Sequence, residues 1–394
     1  MSELDDFRAE ARAWLEEHCP DGVRGPGPTT LGYRKLDLGA DVKRWLECMA
    51  EKGWTVPTWP KKYGGAELDR DQYRVLIEEL THMNARTPLT GRGVNYIGPT
   101  ILEYGTDDQK ARWLPQIARG DGAWAMGYSE PGAGSDLASL QLKAVLDGDH
   151  FVLNGRKTWT SDATDCDFIF VLARTSPDKP KHEGISLILV DMDQPGVQVH
   201  PIRLLSGKSP FCETVFEDAI ARADDVIGGV DNGWTVGKRL LQFERSTHAG
   251  INISGSQGGR AEASKVPGIV KRYIGLMGGH VQDPVVRARL SDYSMNHAAQ
   301  KLTQKRVIEE LRSHAPGFAS SAVKLSNAIL TQEGDELMVE AMGVQGLGVE
   351  GDGFEDTETA ITRQWLYGKS LTIAGGTKEV QMNIIAKRVL GLPD

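Results

Sequence analysis

The amino-acid sequence predicts an α+β protein: a helical N-terminal domain, a central antiparallel β domain and a C-terminal helical bundle. Three observations predict it. Apolar residues recur at helical spacing up to about Arg119; short β-rich runs replace them between about Gly122 and Val230; helical spacing returns after Asn232-Gly233. A chain of 394 residues has room for two or three structural units, placed at residues 1–121, 122–230 and 231–394.

Each block has its own signals. In the first, Trp45, Leu46 and Met49, and then Val75, Leu76, Leu80 and Met83, fall on helix faces, with breaks at Pro57 to Gly65 and Pro88 to Gly93. In the second, the runs Ala123 to Tyr128, Leu140 to Leu146, Phe168 to Ala173, Ile185 to Val190 and Val197 to Ile202 read as strands. Asp147-Gly148 and Asn154-Gly155 read as hairpin turns. In the third, Trp234, Leu240 and Leu241, then Val286, Leu290 and Tyr293, then Leu325, Ile329, Leu337 and Met338 mark three helices. Breaks fall at Gly275 to Pro284 and Gly343 to Gly353, and Thr377 to Leu390 closes the bundle. There is no internal repeat.

Composition narrows the function. Lys and Arg number 45 against 54 Asp and Glu, a net charge of −9, with no basic run. Nucleic acid and anionic membranes are therefore excluded as partners, because both need a basic stripe. The first residues are acidic and lack an apolar run, so no secretory or transit segment is expected and the chain reads as cytoplasmic. Cys19, Cys48, Cys166 and Cys212 show no metal-ligand spacing and read as buried reduced thiols, with no metal site. Glycine is in excess, 45 residues against the usual ~7% share, so turns or close backbone approaches are to be explained.

The densest signal is Gly127-Tyr128-Ser129-Glu130-Pro131-Gly132-Ala133-Gly134-Ser135-Asp136, directly after the first strand of the β block. Its glycines and hydroxyls suit an anion cradle, and equally a tight Gly/Pro hairpin end. It is neither a Walker loop nor a Rossmann fingerprint, since no Gly-Lys-Ser/Thr follows and no βαβ unit surrounds it.

This run resembles the flavin-loop signature of the acyl-CoA dehydrogenase family. So do Gly98 to Lys110 upstream and Lys157-Thr158-Trp159-Thr160-Ser161 downstream, in the family's order and across essentially the whole chain. The resemblance implies FAD as cofactor and an acyl-CoA thioester as substrate. It implies that Met126, Tyr128 and Ser129 run beside the isoalloxazine, with Gly134 and Ser135 at the pyrophosphate and coenzyme A arm. Trp159, Thr160 and Ser161 would lie at the flavin face and N5 edge, and Thr377 and Glu379 would add cofactor contacts. On residue type alone, Trp159 reads as a half-buried strand aromatic.

Desaturating an acyl thioester needs a base for the α-proton while the β-hydrogen leaves as hydride. Many relatives carry a carboxylate in a Tyr-Glu-Gly-Thr run, but here that run is Ala374-Gly375-Gly376-Thr377. A subset of the family supplies the base from a run like L-x-x-E-R on the first helix after the β domain. Leu241-Gln242-Phe243-Glu244-Arg245 matches it, which makes Glu244 the expected catalytic base. On residue type alone a Glu-Arg pair is a solvated helix face. Glu379 is the runner-up base, and His248 reads as a core histidine or a substrate contact. Phe243, Arg245, Gly375 and Gly376 are expected at the substrate. The two glycines would clear space for a branched or polycyclic acyl group, and also suit a turn into a helix with Thr377 as N-cap.

In homotetrameric relatives a neighbouring subunit grips the ADP half of FAD through R-x-T-F-G and Q-x-x-G-G runs. Lys271 to Gly279 and Glu340 to Val344 match neither well. The resemblance therefore implies an α2β2 heterotetramer with a homologous subunit, of the kind associated with actinobacterial steroid side-chain breakdown, with a homotetramer as the alternative. It also implies an electron-transferring flavoprotein as acceptor. A non-catalytic flavin-stabilising subunit and an acyl-CoA oxidase are the competing functions. The first should lack a base; oxygen reactivity of the reduced flavin discriminates the second.

Overall fold

A computed structural model describes residues 3–27, 29–32, 35–248, 265–312 and 320–393, with the backbone alone described at 245–248 and 308–312. The chain divides into two compact units, one of residues 1–202 and 210–243, the other of residues 203–209 and 244–394.

Among the described residues of the first unit, the α-helices before the sheet are α1 (Glu3–His18), α2 (Ala40–Glu51), α3 (Arg70–His82), α4 (Gly98–Tyr104) and α5 (Asp107–Arg119). Their starts are written locally. Asp69 and Thr106 cap α3 and α5 through reciprocal bonds with Gln72 and Gln109, and Gly120 ends α5 in the left-handed conformation. Gln109 also donates to the carbonyls of Asp224 and Val226, at 2.8 and 2.9 Å, tying α5 to the far end of the β segment.

The eight strands are β1 (Trp124–Gly127), β2 (Lys143–Asp147), β3 (His150–Lys157), β4 (Phe168–Arg174), β5 (Ile185–Asp191), β6 (Val197–Ile202), β7 (Phe211–Arg222) and β8 (Val226–Ile227). They form one sheet in the order β6-β7-β3-β2-β4-β5-β8, with β1 on β4. The pairing is antiparallel except where β1 and a single pair of β2 run parallel to β4. Strands β4 and β5 are buried on both faces, so their side chains alternate between two cores. Phe168, Phe170, Leu187 and Leu189 pack with Trp113, Trp124 and Ile101; Ile169, Val171, Ile188 and Val190 pack with Phe151 and Phe216. Pro201 is tolerated because β6 is an edge strand.

Asn154-Gly155 is not the expected hairpin turn. It lies inside β3 at a register shift against β7, where Gly155 takes φ +144° and Asn154 bonds Asp218 across the strands. The turn before it, at Asp147-Gly148, does join β2 to β3, with Gly148 left-handed.

Helix α6 (Gly233–His248) begins in the first unit, where Val236 and Leu240 enter the core, and ends in the second. The second unit continues with α7 (Lys265–Ile274), the hairpin β9 (Leu276–Met277) and β10 (His280–Val281), α8 (Pro284–Arg312), α9 (Ser320–Met342), α10 (Asp356–Gly368) and α11 (Lys378–Ile384). Val266, Val270, Tyr293, Leu337 and Met338 form its core. On α8 one heptad-spaced stripe through Val286, Leu290 and Tyr293 faces this core. On the opposite side Met295 and Leu302, one heptad apart, are exposed, and Val285 is exposed as well.

Candidate active site

Strand β1 delivers the loop 128–136. Gly127 is enclosed, because a Cβ there would stand 2.7 Å from Val171 and 3.2 Å from Lys157. The Tyr128 ring turns inward onto Phe170, edge to face at 6.2 Å, so its side chain serves the core. The loop is fastened from below by Lys157, whose side chain is wholly buried. Its Nζ donates to the Tyr128 carbonyl at 3.0 Å and to Glu130 Oε1 at 2.8 Å. Glu130 also accepts from the backbone N–H groups of Gln141 and Leu142, and the Thr158 N–H donates to the Ser129 carbonyl at 2.9 Å. Burial pushes the Lys157 ammonium down to about 8, against the opposing pull of Glu130.

The two segments expected to face the flavin are thus bonded to each other. Met126 and Ser129 are half-buried, and Gly134 and Ser135 are exposed. A Cβ at Gly132 or Gly134 would meet nothing within 4 Å, so no packing among the described residues demands glycine there. That open cradle fits a diphosphate approached closely by backbone.

Beyond Lys157 the backbone turns sharply. Trp159 sits at φ +61°, in the left-handed region, 55% exposed and with Phe211 edge-on at 5.9 Å. A bulky side chain in that conformation is strained, and strain held in place by surrounding bonds marks functional positions. Thr160 supplies the holding bonds. It is fully buried, its N–H donates to the Cys212 carbonyl, and its hydroxyl meets that same carbonyl and Thr214. The N–H and hydroxyl of Thr160 are thus bonded within the sheet, where they hold the turn that carries Trp159. Ser161 is half-buried, and the next residue, Asp162, pairs with Arg92 at 3.2 Å.

In the second unit Glu244 is buried on α6, with 7% exposure. A Cβ built at Gly375 would lie 3.9 Å from Glu244 Oε1 and 3.7 Å from Lys324 Cε. The position where many relatives place their base and the position of Glu244 therefore converge on one spot. Gly375 takes φ +63° and Gly376 φ +93°. Lys324, on α9, holds this turn by donating to the carbonyls of Gly376 at 2.8 Å and Leu371 at 3.2 Å; Gln381 donates to the Gly375 carbonyl at 3.0 Å. Burial lowers the Lys324 pKa, and the charge of Glu244 opposes that shift.

Other expectations fare differently. Thr377 is the N-cap of α11, its hydroxyl accepting from the Val380 N–H, and Glu379 is exposed in the first turn of that helix. Phe243 is half-buried, with the Arg239 guanidinium 4.6 Å from its ring centroid. The side chains of Arg245 and His248 lie outside the described residues. Where relatives grip ADP, Arg272 is bound to Glu355 at 2.5 Å, Tyr273 donates to Glu358, and Glu340 is bound to Arg289.

Sequence reasoning included Glu130 and Lys157 in the flavin-type runs without giving either a role, and it missed Lys324. An inward-facing lysine at the end of β3 was the available signal for Lys157; nothing local marks the others.

The helical ends, the sheet between them and the two flavin-type segments define the class: the chain belongs to the acyl-CoA dehydrogenase family, whose members are FAD-dependent oxidoreductases. The family's N-terminal, middle and C-terminal domain descriptions match residues 1–121, 125–219 and 231–390. Acyl-CoA dehydrogenase IpdE1 of Mycobacterium tuberculosis is 35% identical over all of this chain and 99% of its own length. Among solved structures, the Tcur3481-Tcur3483 steroid ACAD matches with TM-score 0.76 and 29% identity, over 99% of this chain and 97% of that one. The ChsE4-ChsE5 complex from Mycobacterium tuberculosis matches with TM-score 0.75 and 28% identity, over 100% and 98%.

Proposed function

We propose that the chain is an FAD-dependent acyl-CoA dehydrogenase that introduces an α,β double bond into a bulky acyl-CoA thioester, a branched or steroid side-chain ester, with Glu244 as base. The observation that carries it is the buried Glu244 carboxylate facing the glycine turn at 375–376. Glu244 takes the α-proton onto its carboxylate oxygen. Bound FAD would supply the acceptor for the β-hydrogen as hydride. Met126, Ser129, Trp159 and Ser161 would hold its ring, Gly134 and Ser135 would face phosphate, and Thr377 and Glu379 would add further contacts. The missing side chain at Gly375 leaves room for acyl bulk, whereas the expected space at Gly376 is taken by Gln381, whose Nε2 a Cβ there would meet at 2.6 Å; likeness to a steroid ACAD supports that class of substrate.

Glu244→Gln tests the base. FAD and CoA-ester binding should persist while turnover falls by about two to four orders of magnitude; full activity would remove Glu244 from the role.

The same reading includes a heteromeric assembly in the cytoplasm, with an electron-transferring flavoprotein as acceptor. A homologous subunit would supply the grip on the ADP half, because Arg272 and Glu340 are here committed to internal partners. The exposed Met295 and Leu302 on α8 and likeness to the ChsE4-ChsE5 complex support it. Co-expression with a homologous subunit should give a flavin-loaded complex. A stable tetramer of this chain alone, with about one FAD per chain, would overturn the heteromer.

A further inference from the structure

The buried pair Lys157–Glu130 joins both segments assigned to the flavin. Lys157 sits in the last position of β3, and its aliphatic stem runs under Gly127. Its ammonium reaches a carbonyl in the loop, that of Tyr128, and a carboxylate that itself fixes the backbone of Gln141 and Leu142. Two residues further on the chain presents Trp159 in a strained backbone conformation. Besides Glu130, Arg174 is the charged group acting on the ammonium, and it is itself tied to the carbonyls of Ala138, Leu140 and Lys181.

We propose that Lys157 is a positioning residue for the flavin site: by closing on the Tyr128 carbonyl and Glu130, it sets the separation between the 128–130 loop and the turn that presents Trp159. A buried ion pair is weak evidence for stability, since apolar replacements of both partners are often neutral. What such replacements lose is the bond from Nζ to the loop carbonyl, and that bond carries the geometry. The inference rests on the flavoprotein reading above.

The test compares Lys157→Met, Glu130→Gln and the double variant in the assembled protein. The readouts are thermal midpoint, FAD dissociation constant, and Trp159 emission, isolated by subtracting a Trp159→Phe version of each and read without FAD. Lys157→Met should melt lower, because Glu130 is left buried without its cation, and should bind FAD about tenfold or more weakly with altered Trp159 emission. The double variant should melt no lower than Lys157→Met, because no unpaired charge stays buried, while FAD affinity and Trp159 emission stay altered. Recovery of all three together, or unchanged FAD affinity and emission in Lys157→Met, would overturn the proposal. Failure of the wild-type assembly to bind FAD would instead sink the flavoprotein reading, and Trp159 emission would still decide the placement.

Discussion

Two turns of this chain share one backbone conformation and use it for opposite ends. Trp159 stands at φ +61° and Gly375 at φ +63°. At the first, the chain accepts the strain of a left-handed tryptophan and pushes an indole into exposed space. At the second, glycine occupies the conformation at no steric cost and leaves space beside Glu244. Both are backed by a buried lysine bonded to carbonyls: Lys157 to the loop next to Trp159, and Lys324 to the turn that contains Gly375. The difference teaches that the fold fixes these backbones independently of the side chain they carry. One turn is built to present a surface and the other to withhold one.

The largest effect should come from filling the empty turn. If a carboxylate at 375 and one at 244 address the same spot, Gly375→Glu placed in the Glu244→Gln background should raise turnover at least about tenfold above Glu244→Gln alone. Single-turnover reduction of bound FAD by a CoA ester measures it. No gain in a folded, flavin-loaded double variant would mean that the convergence of the two positions has no catalytic content.

How far this was legible follows from how local each signal is. The helical and β blocks were readable because period and caps act within a few residues, as at Thr106 and Gln109. Strand β7 escaped notice because its inward positions include Cys212, Thr214, Ala219 and Ala221, which make a faint apolar alternation. Asn154-Gly155 misled because a hairpin signal and a bulge both recruit glycine at positive φ. Ser129, Trp159 and Glu244 were reached through resemblance to a family. The lysines behind them were not, since Lys157 meets Glu130 and Lys324 meets Gly376 only once the chain has folded back on itself.

A smaller effect sharpens the contrast between the two lysines. Burial pushes Lys157 down to about 8, while an unfolded lysine keeps its proton to near 10.5. Between those values the unfolded chain binds more protons, so this group makes stability rise with pH, by on the order of 1 kcal/mol between pH 8 and 9. Cys166, held up to about 12 by burial, works in the opposite direction above pH 9. Denaturant titrations of wild type and Lys157→Met subtract the thiol's share. The rise should be present in the first and absent in the second; parallel curves would show that Lys157 keeps an ordinary lysine's proton.

The smallest effect isolates the backbone itself. At position 375 a methyl group would meet nothing closer than 3.7 Å, so Gly375→Ala should destabilise by about 1 kcal/mol through the left-handed conformation and not through a clash. At position 159, which takes the same conformation, the same ordering should hold. Trp159→Ala and Trp159→Gly both lose the indole and its edge contact with Phe211, so their difference reads the conformation alone, and the glycine variant should be more stable by about 1 kcal/mol. Both variants should bind FAD worse than wild type if the indole is there for the cofactor. Chemical denaturation gives the stabilities and flavin titration the affinities. Equal stability of the alanine and glycine variants at 159, with the expected loss at 375, would mean that the Trp159 turn relaxes once its side chain is cut back. The strain would then belong to the indole's placement and not to the strand end that Lys157 and Thr160 hold.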